Sequence, residues 1–281
     1  MQALFNLSLA QSHLGDTDEA FESASECLSL TERRGDPYFI GLALWGVGAS
    51  RVHAGDPASA LIPLDRVAEI RERIGVRDPG RWRFYPDHVE ALLATEQVER
   101  AEEQANLLLE RGLASQRVSS VATGYRSLAL VAAAKRDLSE ADAQITRALE
   151  SHNSWGSPFE QARTMLVAGQ IARRIRAKAR ARQLLEDARD AFGSVGAPLW
   201  AARSAAELER LGARPGAPLE LTETERRVAE LAATGLTNRA VAAELFISPK
   251  TVEANLAKVY RKLEISTRAQ LGSRLGTGAD I

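Results

Sequence analysis

Apolar positions recur along most of this chain at steps of three and four residues, the spacing of one helix face, and short polar turns break the pattern. Val121, Tyr125, Leu128 and Ala132 mark one such face; after a turn at Lys135–Asp137, Leu138, Ala141, Ile145, Ala148 and Leu149 mark the next. The pattern predicts an all-α protein built from helical hairpins. An alanine that follows a polar turn and opens a helix recurs at Ala20, Ala60, Ala101, Ala141 and Ala181, spaced 40, 41, 40 and 40 residues apart. A small residue there lets two antiparallel helices approach closely. Gly15-Asp16 and Gly55-Asp56 occupy the same turn in the first two units, where glycine readily takes the left-handed conformation that ends a helix.

Five hairpins therefore span residues 1–196, and Leu199–Leu211 reads as a closing helix, giving a repeat array over 1–211. Gly75–Pro86 is rich in Gly, Pro and Arg and reads as a loop between repeats. The array opens on an apolar helix with no polar capping repeat, which predicts either a preceding domain or a partner against the first hairpin. These units resemble tetratricopeptide repeats in a degenerate, longer-period form, without the strict 34-residue pattern or its usual Trp and Tyr positions. The resemblance implies a solenoid whose concave surface receives a peptide, a protein or a small-molecule inducer. Trp45, Trp82, Trp155 and Trp200 are candidates to line it, although helix packing is the better reading of them.

Residues 212–218 (GARPGAP) read as a linker, and 219–281 as a four-helix module. Thr222 caps the first helix, with Glu225 completing a capping box; Val228, Leu231 and Ala232 face inward, and Gly235 ends it. Thr237 caps a second helix with Val241, Ala242 and Leu245 inside. A tight turn through Phe246 and Ile247 reaches Ser248 as cap and Pro249 at the first helical position, where its missing N–H leaves no bond unmade. The third helix runs to about Leu263 and buries Val252, Leu256, Val259 and Leu263. A fourth begins near Thr267 and offers Leu271 and Leu275.

Two helices joined by a tight turn, the second of them basic, match the element that enters a major groove. Glu253, Ala254, Ala257, Lys258 and Arg261 fall opposite the buried face; Lys258, Arg261 and Lys262 suit phosphates, and small Ala254 and Ala257 permit close approach. With Thr237, Asn238, Lys250, Thr251 and Asn255 they make the candidate DNA-binding set. The segment is similar to the LuxR-type helix-turn-helix, matching at Leu221, Thr222, Glu225, Gly235, Thr237, Asn238, Val241, Ala242, Leu245, Ile247, Ser248, Thr251, Val252, Lys262, Leu263 and Arg268. It departs at Thr224, Glu253 and Asn255, where the family's pattern commonly has Arg, a basic residue and His. A groove-facing carboxylate at 253 could accept from a cytosine amine and bear on sequence preference.

The resemblance implies double-stranded promoter DNA as partner, RNA polymerase as a further one, and a homodimer through Leu271 and Leu275. The order of array and module also resembles the C-terminal part of the MalT-like regulators, whose ATP-binding domain comes first. No G-x-x-x-x-G-K-[ST] motif occurs, so no phosphate cradle is assigned.

Charge changes this picture only locally. Lys+Arg number 36 against 37 Asp+Glu, a net charge of −1, which argues against a uniformly basic coat. From Leu221 to Leu275 nine Lys/Arg face six Asp/Glu, a local +3 that leaves −4 to the rest. At 45% hydrophobic and 26% charged residues, nothing points to disorder. Cys27 has no second cysteine to pair with, in keeping with a reducing cytoplasm, and reads as a small buried residue. The start of the chain lacks the features of a signal peptide, and no apolar run reaches the ~20 residues of a membrane span.

His13, His53, His88 and His152 lie far apart with no i,i+4 or Cys partner, so no metal site is expected. The basic run Arg173–Arg182 spreads over more than one helix face and reads as a solvated helix ahead of a second nucleic-acid surface. No catalytic residue and no cofactor are assigned. The expectation is a cytoplasmic, sequence-specific transcription regulator with the array as its sensing part. The alternatives are a repeat scaffold that binds protein, and a non-catalytic piece of an ATP-dependent regulator.

Overall fold

The computed structural model describes residues 1–152, 156–212, 221, 223–245, 247–263, 265 and 267–274, without the side chains of 261, 269, 273 and 274. The chain divides into two compact units, Met1–Gly212 and Ala213–Ile281. No described residue lies in a β-strand, and no helix among them is long and apolar enough to cross a membrane. Trp155, Thr222, Phe246, Leu275 and the linker residues 213–218 lie outside the described residues.

The first unit is a succession of helices: α1 (Gln2–Leu14), α2 (Thr17–Arg34), α3 (Pro37–Ala54), α4 (Pro57–Ile74), α5 (Tyr85–Ala94), α6 (Val98–Ala114), α7 (Val118–Ala134), α8 (Leu138–His152), α9 (Pro158–Arg174), α10 (Lys178–Ser194) and α11 (Pro198–Gly212). Each packs along its successor. The five seam alanines, Ala20, Ala60, Ala101, Ala141 and Ala181, are all 0% exposed, so each seam closes on a bare methyl group. The turns follow a shorter period than the alanines suggest. Left-handed residues stand at Gly15, Gly35, Gly55, Gly75, Glu96, Gln116, Arg136, Arg176 and Gly196, about one per helix. At many of them an amide reaches back five residues, as Asp137 N does to Ala132 O at 3.0 Å, and satisfies a carbonyl the helix end leaves open.

The helices fall into two kinds. The even-numbered ones bury one stripe, while inner helices such as α3, α7 and α9 are covered on two sides. In α7 the expected face is half-buried at Val121, Tyr125 and Leu128 and buried at Ala132, while Ala122, Arg126 and Ala129 on the other side are buried more deeply. An inner helix has a second neighbour across the interior, which an amphipathic stripe does not reveal. The segment between α4 and α5 is non-helical through Phe84, with Pro86 already in the first turn of α5, and its Trp82 and Phe84 are buried. Trp45 and Trp200 are buried as well.

Charged groups fill the interior where the inner helices converge. Asp87 on α5 accepts from Trp45 Nε1 at 3.1 Å and pairs with Arg163 of α9 at 3.3 Å. Arg163 also meets Glu90 at 2.6 Å and Glu160 at 3.3 Å, and Glu160 pairs with Arg126 of α7 at 2.7 Å. Buried charges persist only when paired in this way. The first helix joins the same interior: Ser12 Oγ lies 2.7 Å from His53 Nδ1, and the His13 ring stacks on Phe159 with centroids 4.1 Å apart. On α11, Arg203 donates to the His53 carbonyl at 2.5 Å. Gly15 approaches α11 so closely that an added Cβ would sit 2.7 Å from Leu199 Cβ, in a left-handed conformation besides. The first hairpin therefore rests on the last helix of its own array.

Two predictions follow from these features. Gly35 has a φ of 72° and open space around it, so Gly35→Ala should lower stability by about 1 kcal/mol from backbone conformation alone; calorimetry on the variant checks this. Acid should weaken the array in two stages. Burial holds His13 and His152 down at about 4, so the unfolded state takes up protons first as pH falls from 6.5. Glu160 is buried, yet the neighbouring Arg126 and Arg163 hold it down at about 2, so further stability is lost from 4.5 toward 2. A melting temperature that is flat between pH 6.5 and 3 would contradict the buried placement of these groups.

Candidate nucleic-acid interface

The second unit contains α12 (Glu223–Ala233), α13 (Asn238–Glu244), α14 (Pro249–Lys262), a single 3-10 turn at Arg268–Gln270 and the short α15 (Leu271–Arg274). Its core is Val228, Ala229, Ala232, Val241, Ala242, Val252, Leu256, Val259 and Leu271. Two caps position the helix-turn-helix pair. Thr237 accepts from Ala240 N at 3.2 Å to open α13, and Ser248 accepts from Thr251 N at 3.1 Å to open α14, with Pro249 at its first position. Between the helices, Ile247 N reaches back to Ala242 O at 3.0 Å and closes the turn.

With Val252, Leu256 and Val259 inside, α14 turns Lys250, Thr251, Glu253, Ala254 and Ala257 to solvent and leaves Lys258 half-exposed. The backbone places Arg261 three and four residues beyond Lys258 and Ala257, and its side chain lies outside the described residues. Arg226, Arg227 and Arg239 are exposed cations on α12 and α13. Arg239, near the start of α13, stands outside the candidate DNA-binding set. In this geometry the first helix crosses the DNA backbone, and an exposed arginine near its start is the signal.

Four expected site residues are used elsewhere. Lys262 Nζ pairs with Glu225 at 2.5 Å, with side-chain exposures of 8% and 6%, so it holds α14 to α12 and is not displayed to a phosphate. Asn255 is buried and donates to Thr251 O at 2.9 Å. Positions 255 and 262 are two helical turns apart and flank Val252 and Val259, which places both on the inner side. Leu271 is 0% exposed within the unit's own core, so it is not available for a dimer contact. Glu225 likewise serves this buried pair. Asn238 and Arg268 join across the unit, Arg268 Nη1 donating to Asn238 Oδ1 at 2.7 Å and its other nitrogen to the Leu236 carbonyl. Thr267 and Gln270 form a capping box just beyond.

Residues 219–274 match the family model described as bacterial regulatory proteins, luxR family. The C-terminal unit carries a luxR-family helix-turn-helix domain. A putative HTH-type transcriptional regulator of Mycobacterium tuberculosis H37Rv, Rv0890c, is 49% identical over 51 residues, 18% of this chain and 6% of that protein. The transcriptional regulatory protein UhpA of Escherichia coli is 43% identical over 58 residues, 21% of this chain and 30% of that protein. The match therefore spans only a small part of the length of these relatives.

The all-α repeat fold has solved counterparts of low identity. The apo form of RapI superposes with a TM-score of 0.53 at 12% identity, covering 92% of this chain and 98% of that one. A kinesin light chain from Podosopora anserina with nearly identical TPR-like repeats gives 0.50 at 15%, covering 69% and 94%. These likenesses concern the fold alone: the array is tetratricopeptide-like.

The buried pair yields a test. Lys262→Met should remove the cation that faces the buried Glu225 carboxylate and destabilise the domain by roughly 3–5 kcal/mol. Amide hydrogen exchange in α12 and α14 of the full chain reports this directly. Lys258→Ala should leave the same amides protected, and equal loss in both variants would show that Lys262 is no more structural than its exposed neighbour.

Proposed function

We propose that this protein is a sequence-specific, DNA-binding transcription regulator that reads promoter DNA through α14 and uses its repeat array as a sensing part. One observation carries the reading. A luxR-family domain displays an uninterrupted face of α14, from Lys250 to Lys258, that is free of large apolar side chains, and carries exposed arginines on α12 and α13. Ala254 and Ala257 let the helix backbone sit deep in the groove, while Lys250, Lys258, Arg226, Arg227 and Arg239 meet phosphates and supply affinity without sequence information. Glu253, exposed beside Ala254, reads a base edge. Thr237 and Asn238 support the interface indirectly, as the cap and the anchor of α13.

Selection of bound sequences from a random duplex pool by the full chain, followed by gel shifts, tests the assignment. Lys258→Ala should weaken all selected sequences alike and flatten the salt dependence by about one phosphate contact. Glu253→Ala should re-rank the selected sequences, with about 1–3 kcal/mol at the affected base pair. Failure of the chain to retard any duplex, or binding that ignores salt, would overturn the reading.

A further inference from the structure

Resting on the reading of the array as the sensing part, a second site can be placed within it. Across the ends of α5, α7, α9 and α11 runs a trough with two overlapping hollows of about 420 and 400 Å³. Its floor is apolar, with Leu93, Leu130 and Val167 common to both hollows. Its walls are cationic. Arg203 is half-buried above the Trp200 ring, 4.4 Å from the centroid, and its guanidinium reaches only the His53 carbonyl. Among the described residues no carboxylate lies within ion-pair distance of it. At the far end Arg174 is exposed and meets only the Ala133 carbonyl, while Arg173 and Arg210 share the single carboxylate of Glu207.

The imbalance survives a wider count. Arg163 and Glu90 line the trough as a pair, and Asp87, Glu160 and Arg126 extend that network behind it, which with Glu207 makes four carboxylates for six guanidinium groups. A half-buried cation held in place by an aromatic face and without an ion pair is a ready receptor for an anion. Burial draws the Arg203 guanidinium below its usual range, and nearby Glu90 offsets that only in part.

We propose that this trough binds an acidic peptide segment, one carboxylate meeting Arg203, another meeting Arg174, and an apolar side chain between them lying on Leu93, Leu130 and Val167. The charge excess excludes a basic partner, and cations at both ends of an apolar floor favour an extended ligand over a compact ion.

The test uses the full chain, immobilised and panned against a displayed library of random heptapeptides. Enrichment of Asp and Glu flanking an apolar position is expected. Binding of a selected peptide should fall roughly tenfold or more in Arg203→Gln and about two- to fivefold in Arg174→Gln. Arg174 is exposed, so that second variant reports on the trough even if the first perturbs folding. Octanoate, which has a carboxylate and an apolar tail without a peptide backbone, serves as the small-anion arm and should not displace the peptide. No enrichment, enrichment of neutral or basic sequences, acidic binders indifferent to both substitutions, or displacement by octanoate would each overturn the assignment. Gel shifts of the same preparation without peptide report separately on DNA binding, so failure there counts against the DNA-binding reading and leaves the trough to be judged by the panning.

Discussion

A charge removed from water must be met by an opposite charge, and both units of this protein are organised around that requirement. In the array, Arg163 stands among Asp87, Glu90 and Glu160, with Arg126 completing the set, and the pairs link α5, α7 and α9. In the C-terminal domain the same constraint acts through one pair, Glu225 and Lys262, which ties α12 to α14. Such pairs add little net stability over a well-packed apolar substitute, yet a wrong register that separates them is strongly disfavoured. They therefore select one arrangement of helices that are otherwise interchangeable alanine-rich rods.

The signature of the C-terminal domain gains a physical meaning from this. Glu225 with Lys262, Asn238 with Arg268, and the caps Thr237 and Ser248 all maintain the fold of the helix pair. Of the positions that differ from the family's common residues, Glu253 lies on the open face of α14 and Thr224 is exposed on α12. Asn255, which also differs, is turned inward. Resemblance thus describes the scaffold well and says least about the surface that touches a base.

Much of this could be read from the chain. The seam alanines, the glycine turns and the caps of α13 and α14 are local features, determined by residues within a turn or two of each other, and they appear where the pattern placed them. The interior pairs could not be read, because their partners are remote: Asp87 and Arg163 are 76 positions apart, and Arg203 reaches the carbonyl of a residue 150 positions earlier. Nor could a helical wheel tell that the side of α7 bearing Ala122, Arg126 and Ala129 was the deeper, since Val121, Tyr125 and Leu128 form the more apolar face. The left-handed conformations of Glu96, Gln116, Arg136 and Arg176 carry no glycine to mark them, although polar residues mark the turn at Lys135–Asp137.

The contact of Gly15 with Leu199, together with the bond from Arg203 to His53, changes how the array should respond to damage. In an open stack of repeats each unit leans only on its neighbours, so ends fray and stability accumulates unit by unit. Here the last helix is braced against the first. Loosening either terminus removes support from the other, and the array should melt as one cooperative body, with no gradual unravelling from its ends.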